Sequence, residues 1–178
     1  MNTESRSTSL SRAKIALENG DDSIPLVFVY IGSNIPDYAR YSIRLANRTS
    51  GCQIEVISDS PRPTWAPRDV EWVLTSEFYD SSVFEKFRSN NPLPHNFRDG
   101  FWYHTAERFF VLEQYMMGYD KNAILHGEID CLFFSLPNLV SELEITKKRG
   151  VFFAKETIEL GVASLLYINA VDALARLR

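Results

Sequence analysis

The sequence predicts an α/β fold with a mostly parallel central sheet and helices on both faces. Three observations predict it. Leu26-Val27-Phe28-Val29-Tyr30-Ile31 is a continuous apolar run rich in β-branched and aromatic residues, the pattern of a strand buried on both faces. A helical pattern opened by Pro36 and a second apolar segment, Gln53 to Ile57, follow within about 35 residues, as a βαβ unit requires. Strand patterns then keep alternating with helix patterns to the end of the chain.

Residues 1–23 form a polar, Ser/Thr-rich extension with a short helical pattern, Leu10 to Leu17, and residues 24–178 are expected to make one domain. After the first strand and Gly32-Ser33-Asn34, the helix from Pro36 carries Tyr38, Tyr41, Ile43 and Leu45 at helical spacing and stops at Gly51. The second strand ends at Ser58-Asp59. Pro61, Pro63 and Pro67 then impose an irregular connection, with a short strand at Glu71 to Leu74 and a short helix at Ser82 to Arg88. Asn90 to Gly100 reads as loop. So long an irregular stretch suggests a binding surface, and gives Trp65 and Trp72 a claim on a ligand.

Phe101 to Tyr119 is the strongest helix, with its aromatics assigned mainly to the core. Ala123-Ile124-Leu125 is a short apolar strand, Pro137 to Thr146 a helix and Gly150 to Ala154 a strand. Ser164 to Leu177 reads as a closing amphipathic helix.

The formal net charge of -4 and sequence pI of about 5.4 argue against nucleic acid as a partner, since that requires a basic surface. No run reaches the ~18 apolar residues of a membrane span, and the amino-terminal residues lack the apolar core of a secretory signal. A cytoplasmic protein is expected, with Cys52 and Cys131 as free thiols.

The chemistry concentrates in Ile124-Leu125-His126-Gly127-Glu128-Ile129-Asp130. Two carboxylates two residues apart, bracketed by apolar runs, cost several kcal/mol each if buried unpaired. A divalent cation, Mn²⁺ or Mg²⁺, would neutralise them, and such an ion keeps open positions for substrate phosphates. The alternative is a pair of solvated turn carboxylates. His126 alternates with them and is a third ligand, a supporting residue or a packed one. Arg108 either faces the carboxylates and a ligand's phosphates or makes a surface ion pair with Glu107 or Glu113.

The stretch Arg108-Phe109-Phe110-Val111-Leu112-Glu113, followed by Ile124 to Phe133, resembles the GT-A type of glycosyltransferases, in which a helix precedes an apolar strand ending in a DxD-like motif, here Glu128-Ile129-Asp130. The order from Leu26 through Gly32-Ser33-Asn34-Ile35-Pro36 to Glu55-Val56-Ile57-Ser58-Asp59 is similar to the nucleotide-binding half of that fold, so the likeness covers roughly residues 25–150. It implies a nucleotide-diphosphate sugar as donor, with Asp130 on the metal and Glu128 on the metal or the ribose. It further implies Tyr30, Ile31, Gly32 and Ser33 near the base, Asp59 on base or ribose, and Arg108 near the phosphates. The acceptor, whether glycan, lipid or protein, is left open.

After Asp130 the sequence departs from that pattern. It has no further His, and Glu156 and Glu159 are the only loop-proximal candidates for a base. Two competing readings therefore stand beside transfer. One is a nucleotidyltransferase, against which Gly32-Ser33-Asn34 lacks a repeated glycine and a following cation. The other is a non-catalytic binding domain.

Overall fold

The computed structural model describes residues 24–91, 101–155 and 161–176. Strands β1 (Leu26–Tyr30), β2 (Ile54–Ser58), β3 (Glu71–Leu74), β4 (Ile124–Gly127), β5 (Val151–Lys155) and β6 (Gly161–Ile168) form one six-stranded sheet. The helices are α1 (Asp37–Thr49), α2 (Ser82–Asn90), α3 (Phe101–Gly118), α4 (Pro137–Ile145) and α5 (Val171–Leu174), with a 3-10 turn at Thr75–Glu77. The Leu10–Leu17 pattern, the 92–100 loop and Glu156 and Glu159 lie outside the described residues.

The sheet order is β3-β2-β1-β4-β6-β5. The strands from β3 to β4 are mutually parallel, whereas β6 runs antiparallel to both β4 and β5. The sheet is therefore mixed, with three parallel and two antiparallel pairings, where the sequence predicts a mostly parallel one. β1 is an interior strand. Leu26, Val27 and Phe28 have no exposure at all, which is why the run is apolar without alternation.

Helices do cover both faces. Leu26, Phe28, Ile54, Val56 and Leu125 pack beneath Ala39, Ile43 and Ala46 of α1, with Val140 and Leu143 of α4 alongside. On the other face Val27, Ile57 and Ile124 meet Val111, Leu112, Tyr115 and Met116 of α3 and Leu174 of α5. Full burial of each large aliphatic or aromatic side chain contributes about 1.5–3 kcal/mol.

Two expectations are corrected. On α1 the buried stripe is Ala39, Ile43 and Ala46, and Tyr38 and Tyr41 are 51% and 70% exposed. Small residues let the helix axis approach the sheet, and this rotates the tyrosines outward. The closing helix from Ser164 is instead strand β6, followed by the single turn of α5. The segment is apolar throughout because it lies between β4 and β5, and its Ala and Leu content imitates helical periodicity. Asn169 ends the strand. Its side chain accepts from the Gly150 N–H at 2.8 Å and donates to the Lys148 carbonyl at 2.8 Å, which ties the end of β6 to the start of β5.

One buried charge sits in this frame. Glu55 on β2 is 2% exposed, accepts a hydrogen bond from the Tyr115 hydroxyl and pairs with Lys121 Nζ at 2.7 Å. Cys52 and Cys131 are free thiols.

Candidate functional site at the carboxyl ends of β1, β2 and β4

β1 pairs with β2 on one side and β4 on the other, so the chain order reverses there. In open α/β sheets the crevice outside the strand ends at such a point is where ligands bind. The loops after β1, β2 and β4 carry most of the residues singled out from the sequence.

The β1 loop is organised by Asp59. The Gly32 N–H donates to Asp59 Oδ2 at 3.1 Å, and the Thr75 hydroxyl donates to the other carboxylate oxygen. The Ser60 hydroxyl lies 3.0 Å from the Gly32 carbonyl and 2.9 Å from that of Ser33, sharing one hydrogen between them. Gly32 has φ +147°, and a Cβ there would sit 3.3 Å from the Tyr30 hydroxyl, so the turn requires glycine. Tyr30 donates to the Asn34 carbonyl at 2.5 Å, while Ile31 packs against the core on the α3 face. Asp59 and Tyr30 thus use their polar atoms to hold loops, and Ser33 and Asn34 are the residues that face outward.

At the end of β4, Gly127 lets the chain fold back on itself. A Cβ at Gly127 would meet the Phe133 ring at 2.6 Å, and that ring packs 5.8 Å from Phe28. The turn is closed by the Cys131 N–H on the Glu128 carbonyl at 3.0 Å, and the Glu128 N–H reaches Ser164 O at 3.0 Å. Ile129 points into the core at 8% exposure, which leaves Glu128 half-buried and Asp130 exposed. One ligand atom each from Glu128, Asp130 and Cys131 falls within a 4.8 Å cluster. Cys131, with no metal-like spacing around it in the sequence, joins the carboxylates only because of this turn.

Arg108 of α3 settles between its two sequence readings by facing the strand ends. Its guanidinium pairs with Glu128 at 2.6 Å, with side chains 13% and 34% exposed, and lies 5.1 Å over the Phe109 ring. Glu107, one of the two surface partners expected for Arg108, accepts from the Tyr79 hydroxyl at 3.1 Å and sits 3.8 Å from His104 Nδ1. Burial raises the Glu107 carboxyl, helped by the nearby Asp59 charge and opposed by the Tyr79 bond. Asp130 has no ion-pair partner among the described residues; the Cys131 thiol is 3.8 Å away. The Tyr38 phenol, raised by burial and then by the charges of Asp130 and Tyr30, stands near Asp130 at the first turn of α1.

His126 does not join the ligand cluster. It is 1% exposed, with Nδ1 at 3.1 Å from the Val27 carbonyl on the neighbouring strand, and burial followed by the Arg108 charge pushes it down to about 3. The alternation that would align it with Asp130 is broken by the turn after Glu128.

The irregular 60–70 segment is stapled to the body. Arg44 donates to the Trp65 carbonyl at 3.0 Å, Arg62 to the Val70 carbonyl at 2.8 Å, and Trp72 Nε1 to the Ser60 carbonyl at 3.0 Å. Trp65 and Trp72, both half-buried, pack edge to face at 6.4 Å against the core. Of the α3 aromatics Phe110 is buried, whereas Phe101 and Trp102 are 41% and 44% exposed, against the expectation that all are core.

The donor set is mixed in character and singles out no particular metal. It offers one exposed carboxylate, one carboxylate held by Arg108, and a thiol that softens the site. No helix among the described residues is long and apolar enough to cross a membrane. A scan against protein-family models finds no match, and a search of characterised proteins finds no significant relative.

Proposed function

We propose that the chain is a cytoplasmic, metal-dependent glycosyltransferase of the GT-A type, or the donor-binding part of one, taking a nucleotide-diphosphate sugar. What chiefly supports the reading is the placement of Glu128 and Asp130 just past the carboxyl end of an interior strand, where the strand order reverses. The β1 loop and Asp59 gather at the same edge. Asp130 would hold Mn²⁺ or Mg²⁺ directly, with Glu128 as second ligand or ribose contact. Bound there, the ion would supply Lewis-acid stabilisation of the leaving nucleoside diphosphate. The chain's own contribution is to orient: Arg108 fixes Glu128, Asp59 and Ser60 fix the loop facing the nucleotide, and Ser33 and Asn34 offer polar groups to it.

Calorimetry with UDP-, GDP- and CDP-sugars, with and without Mn²⁺, tests this. The expected result is metal-dependent binding of at least one donor that Asp130→Ala abolishes without lowering the melting temperature, because Asp130 is exposed. Binding of no donor with or without metal would sink the reading. A non-catalytic binding domain would then be favoured, and the observation on its side is that Arg108 pairs with Glu128 at 2.6 Å and so offsets its charge.

A further inference from the structure

Two buried nitrogens on the α3 face of the sheet lack a partner among the described protein atoms: Arg108 Nε and His126 Nε2. Their chemistry is complementary. A backbone carbonyl can only accept, so the 3.1 Å contact with Val27 O requires His126 Nδ1 to carry the imidazole proton. That leaves Nε2 as a bare acceptor. Arg108 Nε–H is a donor and nothing else. Ile124 packs against α3, and His126, two residues on, projects to the same side of β4. Arg108 comes from α3 to that side and binds Glu128, two residues beyond His126. A buried donor and a buried acceptor, each without a protein partner among the described residues, are what one internal water joins.

We infer that a single buried water bridges Arg108 Nε–H to His126 Nε2, making His126 the positioning residue that holds Arg108 onto Glu128. The relay runs Val27 carbonyl, His126, water, Arg108, Glu128. It ties the carboxylate to the backbone of β1, an interior strand, and not merely to a long and rotatable side chain. The effect on ligand binding rests on the donor-site reading above; the relay itself does not.

The test uses the full chain, native and with His126→Asn or His126→Gln. Asn places its polar atoms near the Nδ1 position and loses the outer acceptor, while the Gln carbonyl reaches the Nε2 position. Nitrogen-15 NMR of the native protein is expected to show the Nδ1–H tautomer of His126 and a slowly exchanging Arg108 Nε–H. That slow exchange should persist in H126Q and vanish in H126N. Mn²⁺ affinity should fall about tenfold in H126N, as for loss of a residue that orients a ligand, and stay within about twofold in H126Q. An Nε2–H tautomer, a fast-exchanging Arg108 Nε–H in the native protein, or equal behaviour of the two variants overturns the relay. Should either variant fail to fold by its melting curve, the two native-protein signals decide alone. Absence of Mn²⁺ binding to the native protein even with a nucleotide-sugar present would sink the donor-site reading and leave those signals to judge the relay.

Discussion

Replacing Gly127 by alanine probes the joint on which the Glu128–Asp130 turn depends. The added Cβ would lie 2.6 Å from two atoms of the Phe133 ring and 3.3 Å from Leu26 Cδ1, whereas relaxed carbon contacts lie at about 3.5–4.0 Å. The ring must therefore retreat by about 1 Å. It has little room, because Phe28 packs against it at 5.8 Å and Thr49 Oγ1 holds the Phe133 carbonyl at 2.8 Å. Overpacking of this kind costs about 1–3 kcal/mol, offset by about 0.5–1 kcal/mol from the lower entropy of the unfolded chain. A net loss of about 1–2 kcal/mol corresponds to a melting temperature lower by about 2–8 °C for a chain of this size. Thermal unfolding followed by circular dichroism reads it. Phe133→Leu should cost less in the G127A background than alone, with a coupling of at least about 0.5 kcal/mol. Strict additivity, or a melting temperature unchanged by G127A, would refute the packing on which the turn is said to rest.

Two further outcomes follow from groups outside that joint. Lys121→Met strands the buried Glu55 carboxylate with only the Tyr115 hydroxyl, and urea unfolding should show a loss near the lower end of about 3–5 kcal/mol. The double variant with Glu55→Gln should recover most of it, and a K121M loss under about 1 kcal/mol would contradict the pairing. Because burial raises the Glu107 carboxyl, the unfolded chain releases this proton first as pH climbs past about 4.3. The native state then holds more protons, and this group's contribution to stability falls with rising pH until Glu107 ionises in the fold. Glu107→Gln should flatten that decline in unfolding experiments run from pH 4 upward, and an unaltered slope would count against the burial.

The parallel half of this fold is legible in the sequence because its strands are buried on both faces. Few local structures besides such a strand call for a short, continuous apolar run like Leu26–Tyr30. Glu71–Leu74 is readable for a different reason: prolines isolate it. The antiparallel half is not. Gly161–Ile168 has the same apolar density as a buried helix face, and what decides for strand is pairing with β4 and β5, which no local pattern records. At the site, the position of Glu128 and Asp130 past a strand follows from the flanking runs. The departure of Asp130 from the line of His126 does not, because it depends on Gly127 admitting a ring from six residues further on. Tyr38 and Glu107 come to the site through tertiary contacts alone, and Cys131 joins the carboxylates through the local turn, which no metal-like spacing announces.

The case for a metal therefore changes its footing between sequence and structure. Read as a sequence, two carboxylates among apolar residues demand a cation to offset their burial. In the fold that demand is largely met without one. Arg108 lies 2.6 Å from Glu128, and Asp130 stands in solvent. A resident ion would gain little from relieving buried charge, and among the described residues three ligand atoms within 4.8 Å would hold it. Under the proposed function such a site binds Mn²⁺ weakly by itself and strongly together with a pyrophosphate, whose oxygens fill the remaining positions of the ion. Metal and donor affinity are then linked, each raising the other by the same factor. A site that held Mn²⁺ equally well with and without nucleotide-sugar would be a plain cation site, and the strand ends would have no claim on a sugar donor.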